Sequence, residues 1–194
     1  SLDDVAAVES PTVGIGGSTT LTSADFVSAQ VGNGANFTGK GKISTFPAAH
    51  AGTQNIELDR GEVEFWYRPN YDAGADDVQH HMLVVGDIYN VPRLTLYEGD
   101  RLTLSLTDAN WQYYVTHAGY RAPLWEANEW VHIRATWDKD ASDPLRIYLN
   151  GVRVDEGGAT SGLFEAFVDV EHSALGTGPA VTHRVLKVVA SRET

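Results

Sequence analysis

The sequence predicts an all-β fold, a two-sheet antiparallel sandwich made by a single domain over residues 1–194. Three observations carry that expectation. Apolar and polar residues alternate with period two along almost every patterned stretch, as strands with one buried face require. Turn-forming residues, 19 glycines among them, punctuate the chain at regular short intervals. The two clearest strand pairs are joined by short loops of the hairpin kind.

The elements follow in chain order. Glu62-Val63-Glu64-Phe65-Trp66-Tyr67 alternates until Arg68-Pro69-Asn70 stops it. Arg93-Leu94-Thr95-Leu96-Tyr97 and Arg101-Leu102-Thr103-Leu104-Ser105-Leu106 alternate as cleanly, and Glu98-Gly99-Asp100 between them makes a hairpin. After the turn at Asp108-Ala109-Asn110, Gln112 to His117 reads as a further strand. Trp130 to Trp137 alternates large apolar with polar residues. Leu145-Arg146-Ile147-Tyr148-Leu149 runs into Asn150-Gly151, a type I′ signal, and Val152-Arg153-Val154 returns. A helix is arguable only at residues 163–170, and the period-two reading of Phe164, Ala166, Val168 and Val170 favours a strand there.

Composition limits function. With 26 Asp and Glu against 14 Lys and Arg, the formal net charge is −12. That balance argues against nucleic acid or an anionic membrane as partner. No apolar run reaches the roughly 18 residues of a membrane span. The chain has no cysteine, which excludes disulfides, thiolate metal sites and a cysteine nucleophile. It begins Ser1-Leu2-Asp3-Asp4 without Met, and so reads as an excised or processed piece.

Five segments, in order, resemble laminin G-like domains of the concanavalin A-like lectin/glucanase jelly rolls. They are Val31 to Gly39, Gly61 to Pro69, Asn128 to Asp138, Leu145 to Gly151, and Ala174-Leu175-Gly176. The likeness covers residues 25–178 and implies a bacterial laminin G-like jelly roll. It places Trp66, Trp130, Trp137 and Trp125 in the core and gives His132 a structural role. The usual acidic last strand is replaced here by Val185-Leu186-Lys187-Val188-Val189, a departure that bears on any inherited calcium site.

The candidate glycan-binding residues are Trp111, Tyr113, Tyr114, His117 and Tyr120, with Asn110 and Gln112 as orienting amides. Flat aromatic side chains desolvate the C–H face of a sugar ring at little entropic cost. Because strand side chains alternate, one half of this stretch is expected to be packing. Glu57, Asp59 and Glu62 have a spacing like the carboxylate run of jelly-roll glucanases, but Arg60-Gly61 falls inside it and should scatter the three. Two acidic loops, Asp72 with Asp76 and Asp77, and Asp138 with Asp140 and Asp143, leave calcium as the one candidate cofactor. His80 and His81, adjacent on a strand, should face opposite ways and share no metal.

The expected function is a non-catalytic, lectin-like carbohydrate-binding module of an extracellular or cell-surface protein. Its partner would be a polysaccharide, neutral or weakly basic. The alternative is a structural or adhesive module that meets other protein domains, and a glycosidase ranks third.

Overall fold

The computed structural model describes residues 3–11, 14–37, 44–47, 49–50, 53–75, 79–86, 93–119, 124–156, 162–163 and 184–185. A five-residue helix, α1 (Val5–Glu9), comes first. Short strands follow: β1 (Ser18–Thr19), β2 (Phe26–Ser28), β3 (Asn33–Asn36), β4 (Ser44–Thr45), β5 (Ala49–His50) and β6 (Thr53–Gln54). The long strands are β7 (Arg60–Tyr67), β8 (His80–Val85), β9 (Arg93–Glu98), β10 (Leu102–Thr107), β11 (Gln112–Ala118), β12 (Val131–Asp138) and β13 (Leu145–Leu149). β14 (Val152–Arg153), β15 (Gly162–Leu163) and β16 (Arg184–Val185) complete the order.

Two antiparallel sheets make the sandwich. One has five strands in the order β15-β11-β10-β9-β8, the other four in the order β14-β13-β12-β7. Period-two alternation decides which side of each is buried. In the four-stranded sheet Val63, Phe65 and Tyr67 of β7 face the core beside Val131, Ile133, Ala135 and Trp137 of β12. Leu145, Ile147 and Leu149 of β13 extend that layer. The five-stranded sheet answers with Leu94 and Leu96 of β9 and Leu102, Leu104 and Leu106 of β10. All belong to one continuous apolar cluster. The edge of the sandwich is tied by the chain after β14, where the Glu156 amide donates to the His117 carbonyl at 3.0 Å and Asp155 bridges to Ala118.

The hairpin between β13 and β14 turns on Asn150 at φ 50° and Gly151 at φ 81°, the type I′ geometry that its sequence predicts. The Asn150 side-chain oxygen also accepts from the His132 amide at 3.0 Å. A Cβ at position 151 would meet nothing within 4 Å, so a substitution there is opposed by backbone conformation alone. Gly151→Ala is therefore expected to cost about 1 kcal/mol, the penalty of an L-residue in the left-handed region. Equilibrium urea unfolding checks this, and an unchanged midpoint would show that the hairpin does not limit stability.

Two expectations need amendment. Trp66 and Trp130 are half-buried and stand outside the core. Trp66 has the parity of Glu62 and Glu64, opposite to Val63, Phe65 and Tyr67, and its ring lies 5.1 Å from that of His132 across the strand pair. Trp130 precedes Val131 and carries the Arg68 guanidinium 5.9 Å from its ring centre. Trp125 and Trp137 are in the core as expected, 5% and 2% exposed. The second amendment is α1, which the period-two reading passes over. Asp4 caps it, its carboxylate accepting from the Ala7 amide at 2.7 Å, and Val8 is fully buried. Of residues 163–170, read as a strand, Leu163 pairs in β15 and the remainder lies outside the described residues.

Candidate functional site

β11 sorts the sequence-predicted aromatics by parity. Tyr114, Thr116 and Ala118 point to the core, and Tyr114 packs against it. Tyr113, Val115 and His117 point to the opposite, outward side of the five-stranded sheet, half-buried. Gln112 shares the parity of Tyr114 and is half-buried at the start of the strand. Tyr120 lies outside the described residues.

The turn before β11 is built by Asp108. Its carboxylate accepts from the Asn110 amide at 2.8 Å and the Gln112 amide at 2.9 Å. Its backbone carbonyl accepts from the Trp111 amide at 3.1 Å. These bonds hold Trp111 at φ 64°, a left-handed conformation unusual for a bulky side chain, with 44% of the residue exposed. Asn110 is exposed on the same turn.

Register then fills in the outward face around Tyr113 and His117. Tyr113 stands opposite Thr107 of β10, and Thr107 opposite Arg93 of β9. His117 stands opposite Thr103, Thr103 opposite Tyr97, and Tyr97 opposite His81 of β8. Between these two rows lie Val115, Ser105, Thr95 and Val84. The middle strands supply a hydroxyl floor, since Thr95, Thr103, Ser105 and Thr107 are all buried between taller neighbours. Thr95 and Ser105 share a hydrogen bond of 2.6 Å. Thr103 bonds the His117 ring Nδ1 at 3.0 Å, and Tyr113 bonds the Ser105 hydroxyl. On the far side the His81 and Tyr97 rings lie 5.3 Å apart.

The electrostatics follow from this burial. Desolvation pushes the Tyr113 phenol up, so it stays neutral and available as a hydrogen-bond partner. Desolvation lowers the His81 imidazole, and His80 lowers it further. His117 is lowered by desolvation and then by Arg101, against the opposing pull of Asp100 and Glu156. Both imidazoles are therefore neutral near pH 7 and protonate on acidification below the ordinary histidine range.

Tyr97 and Arg93 enter the sequence reading only as strand residues, and His81 only as one half of a histidine pair. They come from strands distant from β11 along the chain, and a β-bulge between His81 and Leu83 shifts the phase of β8. His80, as the alternation predicts, faces the other way. It is buried, stacks on Tyr71 with 4.3 Å between ring centres, and lies opposite the buried Glu98.

The other candidates do not come together. The Glu57 carbonyl accepts from the Trp137 indole at 2.9 Å, and the Glu57 side chain is at the surface. Asp59 pairs with Lys139 at 3.4 Å. Glu62 accepts from Arg134 Nε at 2.9 Å on the outward side of the four-stranded sheet. Each of the three thus answers a different partner. In the loop after β12, Asp138 pairs with Arg60 at 3.1 Å, and Asp143 with Arg146 at 3.2 Å and Arg153 at 2.7 Å. Asp140 lies 4.0 Å from Lys139. The carboxylates of this loop are committed to ion pairs. Asp72 accepts from the Ala127 amide at 2.7 Å, and Asp76 and Asp77 fall outside the described residues. Among the described residues no group of three His, Asp or Glu side chains gathers to hold a metal ion, and no helix is long and apolar enough to cross a membrane.

A laminin G-type family model, described as the concanavalin A-like lectin/glucanases superfamily, matches residues 45–180. That span takes in both sheets of the sandwich and the whole of the outward face built around Tyr113. No curated protein and no solved structure matches the chain significantly.

Proposed function

The chain belongs to the concanavalin A-like lectin/glucanases superfamily, and on that premise we propose that it is a carbohydrate-binding module that does not cleave its ligand. The observation that supports this reading is the outward face of the five-stranded sheet. Tyr113 and His117 bank it on one side, Tyr97 and His81 on the other, over a floor of threonine and serine hydroxyls. Rings at the banks desolvate sugar C–H surfaces, while imidazoles and phenols exchange hydrogen bonds with sugar hydroxyls. The buried side chains beneath are bonded to one another, so the face is rigid before the ligand arrives, which lowers the ordering cost of binding. The separation of Glu57, Asp59 and Glu62 supports binding without hydrolysis, because two carboxylates must face one bond.

Titrating intrinsic tryptophan fluorescence against a panel of soluble polysaccharides tests the reading, with Trp111 as the reporter at the turn leading into Tyr113. A saturable response to at least one glycan class is the expected result. A flat response across the panel from folded protein would reject it in favour of a protein-contact module. Trp111→Gly adds a sharper expectation. Glycine relieves the left-handed strain but adds freedom to the unfolded chain, and the two terms of about 1 kcal/mol nearly cancel. Stability should therefore stay within about 1 kcal/mol of the parent while binding falls, a pairing expected where strain holds a functional side chain. Unchanged affinity in that variant would remove Trp111 from the site.

A further inference from the structure

The rings on the outward face of the five-stranded sheet are arranged along a strand. Tyr113, Val115 and His117 share one parity of β11, and Trp111 stands two residues before Tyr113, at the turn that opens the strand. Tyr113 and His117 are four residues apart, roughly 13 Å at strand rise. The floor runs the same way, since Thr107, Ser105 and Thr103 of β10 lie opposite Tyr113, Val115 and His117 in turn. On the β9 side Arg93 stands at the Thr107 end, and Tyr97, with His81 beyond it, at the Thr103 end. The face is therefore a trough whose long axis is parallel to β10 and β11. Trp111 stands at one end of it and the row of His117, Tyr97 and His81 at the other.

We propose that this trough takes a straight polysaccharide of the equatorial β-1,4-linked kind, laid along β10 so that successive sugars meet Trp111, Tyr113 and His117. The proposal rests on the reading of the face as a glycan site and names its ligand class. Two properties of the trough select that class. The first is its line. In an equatorial β-1,4 chain the two linkage bonds leave each ring from opposite ends, so the rings follow one another as a ribbon. A chain linked α-1,4 or β-1,3 coils, and carries its next ring away from the line of β11 after one contact. The second is stiffness. The Thr95–Ser105 bond of 2.6 Å and the Thr103–His117 bond of 3.0 Å fasten the floor to itself and to one ring. Asp108 holds the Trp111 turn through the Asn110 and Gln112 amides. A surface fastened in this way fits a straight chain at little ordering cost and does not curl to follow a coiled one.

Stacking uses the faces of the rings. The hydrogen bonds that Tyr113 and His117 already make to β10 therefore orient the platform without competing with the ligand. The length of the trough then sets the length of the ligand. The interval from Tyr113 to His117 exceeds an extended disaccharide, and Trp111, 44% exposed, lengthens it further. Affinity should climb with chain length until both ends are covered.

The test is calorimetric titration with cello-, xylo-, manno- and chito-oligosaccharides, against malto- and laminari-oligosaccharides of the same lengths. Among the hexasaccharides, at least one β-1,4 series should bind about tenfold tighter than both coiled series. Within that series affinity should rise about tenfold from disaccharide to tetrasaccharide and level off by the hexasaccharide. In Trp111→Gly, shown to be folded by its unfolding transition, the ratio of tetrasaccharide to disaccharide affinity should fall by at least about threefold. A ligand lying across the strands, from His117 to His81, would keep that ratio in Trp111→Gly and lose it in His81→Ala, and this result would overturn the proposal. Equal binding of a coiled series, or affinity that ignores chain length, would overturn it as well. If a coiled glucan binds while the straight chains do not, the ligand class fails and the glycan reading stands. If no saccharide binds, both fail.

Discussion

Replacing Trp137 by alanine is expected to lower the free energy of unfolding by about 3–5 kcal/mol, the range for deleting a large aromatic from a packed core. The indole is 2% exposed and stands at the end of the β12 series Val131, Ile133 and Ala135. Its Nε1 donates to the Glu57 carbonyl at 2.9 Å, so truncation also strands a backbone acceptor at the entry to β7. The opposing wall is Gly61, paired with Trp137 in register. A Cβ built there would come 2.6 Å from the indole Cζ2, which is why a strand position in the β7–β12 pair carries no side chain. The reciprocal variant, Gly61→Ala, overpacks the same contact and should cost about 1–3 kcal/mol. Urea unfolding of both variants checks the pair. A loss below about 1 kcal/mol for Trp137→Ala would mean that the core closes over the gap, and would contradict the tight contact with Gly61.

The same strands show how far the sequence could be read. In β12 the apolar parity is unbroken, so Trp137 falls in the core by phase alone. In β7 the apolar parity is Val63, Phe65 and Tyr67, and the intervening Glu62 and Glu64 mark the wet side. Trp66 belongs to the wet parity. Reading it as core gave the family resemblance precedence over phase, and phase governs, because side chains two apart on a strand must share a face. Trp66 resolves the conflict by lying against His132 rather than under the sheet.

The candidate site was legible only along β11. Tyr113 and Tyr114 had to part company, but no local signal said which would face the core, since both neighbours on their respective sides, Gln112 and Val115, are ambiguous. The answer lies in β10, where leucines alternate with Thr103, Ser105 and Thr107 and pairing carries the hydroxyl parity to Tyr113 and His117. The second bank, His81 and Tyr97, was out of reach. It depends on a three-strand pairing and on a bulge that no turn signal announces. Fold follows from period two within a strand, whereas this site is a property of register between strands.

That division gives the most discriminating pair of variants, because two adjacent tyrosines should fail in opposite ways. Tyr113→Ala removes a bank of the outward face. Glycan affinity should fall by at least about thirtyfold, some 2 kcal/mol, as for truncation of a central aromatic contact. Its cost in stability should be only about 1 kcal/mol, one hydrogen bond's worth, since Ser105 keeps its 2.6 Å bond to Thr95. Tyr114→Ala removes a ring packed against the core opposite Leu106. It should cost about 2–3 kcal/mol of stability, less than a fully buried aromatic because the side chain is half-buried, and leave affinity nearly unchanged below the melting transition. Urea unfolding and fluorescence titration on both proteins read the two effects separately. Loss of binding in Tyr114→Ala with binding kept in Tyr113→Ala would reverse the faces of β11 and move the site to the core-side rim of the sheet. Binding kept in both would detach the ligand from β11, and the floor of β10 would lose its argument with it.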